Sequence, residues 1–313
     1  MKLFVIGNGF DLAHKIKSSY WDFGEYLQNN YPDFFGDLMA AINNDNGIWS
    51  DFERNLPMCA TEMENFGLQV SQERLDELDY DPMNDEGMGQ WMSEKLVFIN
   101  QLPKVLREWI QSVDIKKQKA YRSDLFSEED LFLSFNYTNT LEELYKIPDK
   151  KVLHIHGSVA KSYERLIMGH RNMRQIESTV RNYDNAVSEF SDSASAVFRC
   201  TLEFLEKTYK DTAMIIEKHE DFFDSISEKG IDEVVVIGSS LSNIDCPYFE
   251  RIRDEGNFKW SIYYYDPEEI DISEKERTKA IKFLEILQIP EEKRNVLSSS
   301  KILINSKKPQ SVF

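Results

Sequence analysis

The chain has 313 residues, of which 41% are hydrophobic and 12% aromatic, so it can bury one large core or two smaller ones. Its formal net charge of −18 argues against a nucleic-acid partner, because binding many phosphates requires clustered Lys and Arg. Three widely spaced cysteines, no export signal before the first strand, and no apolar run near the roughly 18 residues of a membrane helix predict a cytoplasmic protein with reduced thiols and no membrane partner.

The first predicted element is a buried strand at residues 3–7 that turns directly into a helix at residues 10–13. Gly7, Asn8 and Gly9 form the turn. In parallel sheets such a turn delivers a phosphate to a helix N-terminus, because glycine lets an anion approach unpaired N–H groups. A glycine-rich turn without a ligand is the alternative reading.

Helical patterns occupy residues 18–130, where a second strand would otherwise be expected. Ser50 and Glu53 have the spacing of a capping box, and large apolar residues recur at helical intervals between Trp91 and Trp109. The acidic stretch 73–89 is expected to be a loop or a lid. We therefore predict a single α/β domain over 1–313 with a helical insertion at 18–130.

The sheet resumes with two predicted strands, 131–135 and 152–158, that both end in polar residues. Asn136, Tyr137 and Thr138 follow the first strand, and the second ends at His156 and Gly157. Ligands of open α/β sheets lie outside the carboxyl ends of the strands. Asn136 and His156 therefore fall where chemistry is expected.

The clearest strand–helix–strand unit begins with the apolar run 233–237. Gly238, Ser239 and Ser240 end that strand and either cap the next helix or bind ribose or phosphate. Asp245 fits either a helix cap or a ligand contact. Asp266 follows a predicted strand at 260–265, where a carboxylate can meet the adenine ribose.

A charged helix at 268–287 and a late edge strand at 301–305 complete the predicted elements. Together they give an α/β fold with a Rossmann-like, mostly parallel sheet and a large helical insertion after the first strand.

Three histidines are candidate metal ligands. His154 and His156 would share a face of the strand predicted at 152–158, and His170 lies further along the chain. No nearby Cys or carboxylate completes a recognisable ligand pattern, so we expect no metal. Cys246 is read as an inert thiol.

Five short motifs occur in a fixed order along the chain: GNGFDLAH at 7–14, Ser19-Tyr20 with Phe23, FNYT at 135–138, HIHG at 154–157, and GSSL at 238–241 with Asp245. In this order they resemble the bacterial phage abortive-infection AbiH family over nearly the whole chain. Lys15 departs from the glycine that the family usually has there. The resemblance implies a role in phage defence.

The same motifs are more distantly similar to sirtuin-like NAD-consuming domains of phage-defence systems. That resemblance implies that NAD is substrate or ligand, that its nicotinamide–ribose bond is cleaved, and that Asn136 and His156 are catalytic. Thr138 stands where the pattern has aspartate. The residues placed around NAD are Gly7, Asn8, Gly9, Phe10, Asp11, Tyr137, Thr138, Gly157, Gly238, Ser239, Ser240, Asp245 and Asp266.

The alternative is a sensor that binds NAD or ADP-ribose and signals without turnover. Thr138 favours the sensor, whereas Asn136 and His156 favour the enzyme. A phage-derived trigger and a homo-oligomer are compatible with both. A third interpretation is a nuclease or nucleotidyltransferase toxin, but this sequence lacks the clustered carboxylates that two-metal chemistry would use.

Overall fold

A computed structural model describes residues 1–42, 46–76, 89–90, 92–94, 96–120, 125–267 and 269–302. The chain divides into two compact units. The first contains Met1–Ser19, Ile110–Leu166 and Asp211–Phe313, and the second contains Tyr20–Trp109 and Ile167–Lys210. The expectation of a single domain stays a prediction. Of the expected acidic loop, residues 77–88 lie outside the described residues.

A six-stranded parallel sheet forms the centre of the first unit. Its strands are β1 Lys2–Ile6, β2 Leu131–Ser134, β3 Val152–His154, β4 Glu233–Ile237, β5 Lys259–Tyr264 and β6 Arg294–Ser298. They lie in the order β3-β2-β1-β4-β5-β6. This is the strand order of doubly wound dinucleotide-binding folds, whose ligand crevice opens where the order reverses, between β1 and β4. The predicted Rossmann-like fold class is confirmed.

The central strands read as continuous apolar runs because helices cover both faces of a parallel sheet. All four residues of β2 are buried, as are the last four of β1 and of β4. The edge strand β6, Arg294–Ser298, differs from these central strands because it is only half-buried. An edge strand was predicted at 301–305. Its first residue belongs to the 3₁₀ segment Ser299–Lys301, so the prediction was wrong there, and residues 303–305 lie outside the described part.

The predicted strand at 152–158 was too long, because β3 ends at His154. Gly157 has a φ of +85° and donates its N–H to the His154 carbonyl at 3.0 Å, which closes a turn. His156 therefore lies in the turn rather than on the strand, and the expected common face of His154 and His156 does not exist.

Helices of varied length accompany the sheet in the first unit. They are α1 Asn8–Ala13, α6 Thr140–Tyr145, α9 Thr212–Lys218, α10 Glu220–Glu228, α11 Cys246–Asp254 and α12 Ile270–Ile286. Three 3₁₀ segments, Asp149–Lys151, Glu291–Lys293 and Ser299–Lys301, complete the described elements.

The second unit is helical in its described part. Its helices are α2 Tyr20–Asn30, α3 Pro32–Ala40, α4 Phe52–Asp76, α5 Leu102–Ser112, α7 Met173–Ser188 and α8 Asp192–Lys207, with 3₁₀ turns at Asn46–Ser50 and Val97–Asn100. The last residues of α5 belong to the first unit. The helical insertion after β1 is thus confirmed, and a second segment, Ile167–Lys210, contributes to the same unit.

Aromatic side chains build the core of the second unit. Phe23 packs against Trp109 with ring centroids 4.8 Å apart and against Phe52 at 5.7 Å. Lys210 is buried in this unit and forms an ion pair with Glu53, which also accepts a 2.8 Å hydrogen bond from Tyr20. No helix within the described residues is both long and apolar enough to cross a membrane.

Candidate functional site

The turns that follow β1 to β4 place a two-layered polar cluster at the carboxyl edge of the sheet. The inner layer contains Asp11, Asn136, Thr138, His154 and His156, all of which are buried. In the outer layer, Asn8 and Ser240 are exposed, while Gly9, Gly238 and Ser239 are half-buried. Most of the predicted site residues therefore share one edge of one unit, with the hydrogen-bonding groups beneath a more accessible rim.

The glycines of the first turn are used for backbone packing. Gly7 N–H donates to the Ile237 carbonyl at 2.9 Å, and Gly9 N–H donates to the Gly238 carbonyl at 2.8 Å. A Cβ on Gly7 would lie 2.6 Å from the Gly238 oxygen. The expectation that these two N–H groups are unpaired was wrong. The glycines are needed because the turns after β1 and β4 touch at the point where the strand order reverses.

Gly238 is where this contact is tightest, and Gly230 offers a matched control. Both glycines have positive φ, +67° and +66°, but a Cβ on Gly238 would lie 2.2 Å from Phe10 N, whereas a Cβ on Gly230 would meet nothing within 4 Å. We expect Gly230→Ala to lower the free energy of unfolding by about 1–2 kcal/mol, the cost of the left-handed backbone alone. Gly238→Ala should cost more, about 3 kcal/mol or above, because the turns must also separate.

Urea unfolding of both variants measures the difference. Equal losses of stability in the two variants would show that the contact between the turns contributes nothing. The comparison does not depend on any ligand.

Asp11 is the only acidic residue among the predicted positions that is fully buried, at 0% exposure. Its Oδ2 accepts a 2.5 Å hydrogen bond from Thr138 Oγ1, and Thr140 Oγ1 donates to Thr138 Oγ1 at 3.1 Å. Within the described residues Asp11 Oδ1 accepts no hydrogen bond. The carboxylate of Asp11, on α1, therefore lies in direct contact with the Thr138 hydroxyl.

Burial raises the pKa of the Asp11 carboxyl from 3.8 to about 6. The hydrogen bond from Thr138 and the nearby polar side chains of Thr140 and Asn136 oppose this shift, as does the charge of His154. Desolvation outweighs these effects because, among the described residues, Asp11 forms no ion pair with Lys or Arg that would offset it. A carboxyl that titrates near neutral pH is a common feature of functional sites.

Asn136 joins this group to the first turn. Its Nδ2 donates to the Gly7 carbonyl at 3.2 Å, and its backbone N–H donates to Ser134 Oγ at 3.2 Å. Its Oδ1 is buried and accepts no hydrogen bond within the described part of the chain. A buried amide oxygen without a donor costs about 1–3 kcal/mol, so this acceptor is suited to a donor from a ligand or water.

His154 reaches Asn136 from the neighbouring strand. Its Nδ1 lies 2.9 Å from the Asn136 carbonyl oxygen, and its Nε2 lies 2.8 Å from Glu142 Oε1. Burial alone would lower the pKa of His154, but the Glu142 carboxylate and the Asn136 carbonyl together outweigh burial, so the pKa is raised.

His156 has different neighbours, on α11. Its Nε2 lies 3.3 Å from the Tyr248 hydroxyl and 3.7 Å from Asp245 Oδ1. Its ring stacks on Phe135, with centroids 5.5 Å apart at 30°. Asp245 occupies the N-cap position of α11, but its side chain makes no capping hydrogen bond. Asp245 therefore does not cap α11 through its side chain, and its contact with a ligand stays a prediction.

Four other predicted positions have structural surroundings of their own. The ring of Phe10 packs in the sheet core, and the carbonyl of Tyr137 accepts from Val159 N–H at 3.0 Å. A Cβ on Gly157 would lie 2.7 Å from the Arg165 carbonyl oxygen. Asp266 accepts a 2.5 Å hydrogen bond from Ser273, on α12. Their roles toward NAD stay predictions.

Hydrogen bonds hold two of the rim residues, one to a residue beyond α1 and the other within its own turn. Asn8 Nδ2 donates to the Ser18 carbonyl at 2.8 Å, and Ser18 Oγ donates to Asn8 Oδ1 at 2.7 Å. Ser239 Oγ accepts from Leu241 N–H at 3.1 Å. These bonds hold the rim in shape while leaving Asn8 and Ser240 accessible.

Over the part of the chain that the structure covers, no three His, Cys, Asp or Glu side chains are arranged to hold a metal ion. His170 belongs to the second unit, where its Nε2 lies 3.1 Å from the Leu205 carbonyl oxygen. The expectation that the protein holds no metal stays a prediction.

Sequence reasoning did not place Glu142, Thr140 or Tyr248 at the site. Thr140 and Glu142 lie in the first turn of α6, which directly follows the polar segment after β2. The HIHG motif did indicate a separate role for His154. Where a strand ends between two histidines, their side chains contact different partners. Tyr248 looked like a core residue because it lies in an apolar stripe of α11.

Comparison with known protein families shows to which family this chain belongs. The family model described as Bacteriophage abortive infection AbiH matches residues 3–264. The chain belongs to this family. Membership gives this AbiH protein a role in phage abortive infection, and the matched range includes every strand from β1 to β5. Searches of curated proteins and of solved structures return no significant match.

Proposed function

We propose that this AbiH protein acts in abortive infection by cleaving NAD to nicotinamide and ADP-ribose. The observation that carries the proposal is the polar cluster at the carboxyl edge of a sheet with dinucleotide-binding strand order. The similarity of the sequence motifs to sirtuin-like NAD-consuming domains supports the same substrate.

The reaction adds water across the bond between nicotinamide and ribose. The bond breaks with its electron pair going to the pyridinium nitrogen, so nicotinamide leaves as a neutral molecule. Positive charge builds on the ribose carbon, as in glycoside hydrolysis. Water then forms the new C–O bond and releases a proton, so the site needs an acceptor for that proton but no strong acid.

The inner layer can supply these functions. His156 would take the proton from water or from a ribose hydroxyl, and neutral imidazole is suited to this near neutral pH. Asn136 would orient the ribose or the water through its unused amide oxygen. Asp11, behind Thr138, would place negative charge near the developing positive charge.

The outer layer would receive the rest of the dinucleotide. Asn8, Ser239 and Ser240 offer side-chain and backbone donors on the accessible rim. The N–H groups of Gly7 and Gly9 are engaged, so the pyrophosphate would rely on the other members of these two turns.

Access is part of the proposal. Asn136 and His156 are 6% and 3% exposed, so the rim must open before ribose reaches them. Coupling that opening to a phage-derived trigger would keep the activity off in uninfected cells. A homo-oligomer is compatible with this scheme.

The test is incubation of the purified full chain with NAD, alone and with phage lysate, while chromatography follows nicotinamide and ADP-ribose. Equimolar appearance of both products supports hydrolysis. If NAD survives both conditions, the hydrolase proposal is wrong.

The second candidate is a nucleotide sensor. The closed inner layer favours it, because a binding module needs only the rim. Calorimetry with NAD and with ADP-ribose separates the two: binding without turnover under either condition would favour the sensor, and no binding of either nucleotide would exclude both.

A further inference from the structure

His154 has an acceptor at each ring nitrogen. A backbone carbonyl oxygen, that of Asn136, lies 2.9 Å from Nδ1, and a carboxylate oxygen of Glu142 lies 2.8 Å from Nε2. A carbonyl can only accept a hydrogen bond, so Nδ1 must carry a proton. The contact at Nε2 needs a second proton, either on the ring or on Glu142.

We infer that His154 is an imidazolium paired with the Glu142 carboxylate, and that it is a positioning residue that fixes the Asn136 peptide. Imidazole is ordinarily more basic than a carboxylate by about two pH units, which places the second proton on the ring. A charged donor also makes both hydrogen bonds stronger than neutral ones.

The other charges around His154 agree with this assignment. Asp11 is a second acid that interacts with His154, since the positive charge of His154 lowers the pKa of Asp11. Lys161 acts in the opposite sense and lowers the pKa of His154. The negative charges of Glu142 and Asp11 therefore outweigh the positive charge of Lys161. This favours the protonated, charged ring of His154.

The pair has a consequence for Asn136. The imidazolium holds the peptide carbonyl of Asn136 while the Asn136 amide oxygen stays unused. The effect on NAD cleavage rests on the proposed function, whereas the protonation of His154 does not. A shift of this peptide by about 1 Å would lower a rate by on the order of a hundredfold.

Three of the other four histidines provide internal references. His14 lies between the Phe10 carbonyl and the Tyr145 hydroxyl, and a hydroxyl can donate, so its ring can be neutral. His170 accepts from Asn172 N–H at Nδ1 and donates to the Leu205 carbonyl from Nε2. Burial lowers the pKa of His14, of His170 to about 4, and of His219.

The experiment is a two-bond ¹H–¹⁵N spectrum of the histidine-labelled full chain at pH 6.5, the ordinary midpoint of a histidine. We expect a ring with both nitrogens protonated, assigned to His154 by its loss in His154→Asn or, if that variant does not fold, by its response to Glu142→Gln. Glu142→Gln should lower the midpoint of this ring's titration by at least one pH unit. Glu143→Gln is the matched control, since Glu143 lies on the same helix and contacts Asn139 instead.

A neutral His154 ring in the wild type at pH 6.5 would overturn the inference, as would an equal response to both variants. In the NAD assay, Glu142→Gln should lower kcat on the order of tenfold to a hundredfold with little change in KM, and Glu143→Gln should change neither. If the wild type does not cleave NAD, the proposed function fails while the spectrum still decides the protonation of His154.

Discussion

Replacing Asn136 or His156 with alanine is expected to lower the rate of NAD cleavage by about a hundredfold or more. His156 is the only proposed proton acceptor, and Asn136 carries a buried amide oxygen that no described residue uses. Neither side chain belongs to the apolar core of the sheet, so both variants should fold. The measurement is nicotinamide release at saturating NAD, with circular dichroism to verify the fold.

Two matched controls accompany these variants. Asn139 lies in the same polar segment and bonds only weakly to Glu143, at 3.4 Å. His219 occupies the N-cap position of α10, where its side chain makes no capping hydrogen bond. Asn139→Ala and His219→Ala should leave the rate within about twofold, as surface substitutions usually do. Full activity in Asn136→Ala or His156→Ala would remove that residue from the mechanism.

Asp11→Asn is expected to stabilise the protein at neutral pH while removing the activity. A shift of the Asp11 pKa from 3.8 to about 6 corresponds to about 3 kcal/mol of destabilisation when the carboxylate is charged. Asparagine keeps the shape and can still hydrogen-bond Thr138, but it carries no charge. The variant should therefore gain up to about 3 kcal/mol at pH 7.5.

The pH dependence follows from the direction of the shift. Because the folded-state pKa of Asp11 is raised, its favourable contribution is present below pH 3.8 and is lost as the pH rises through about 6. The difference in stability between Asp11→Asn and the wild type should grow over that range and stay constant above it. Urea unfolding at pH 5 and pH 7.5 measures this, and Asp149→Asn, at an exposed site, should change stability by less than about 0.5 kcal/mol.

A loss of stability in Asp11→Asn at pH 7.5 would contradict this account. The expected gain matters for function, because a buried carboxylate that destabilises the fold indicates a role other than structure. Loss of activity with a gain in stability would therefore identify Asp11 as a functional residue.

The local pattern of the chain was enough to predict most of the strands. Continuous apolar runs such as 233–237 indicate strands buried on both faces, and the observed β4 has the same bounds. The predicted end of a strand was wrong where a turn follows without a change in the apolar pattern. The run that starts at Val152 continues through Ile155, yet the chain turns at Gly157. Apolar character at Ile155 reflects burial in a turn, which periodicity does not distinguish from a strand.

By itself, the sequence determined the fold class, the helical insertion after β1 and the polar residues at the strand ends, because these depend on local apolar patterns and on the rule that ligands lie at carboxyl ends. Only the tertiary structure determined which side chains of the site contact one another. It paired Asp11 with Thr138, His154 with Glu142 and His156 with Tyr248. It also assigned Gly7 and Gly9 to packing against Gly238, since contacts between turns more than 200 residues apart depend on strand order, which no local pattern encodes.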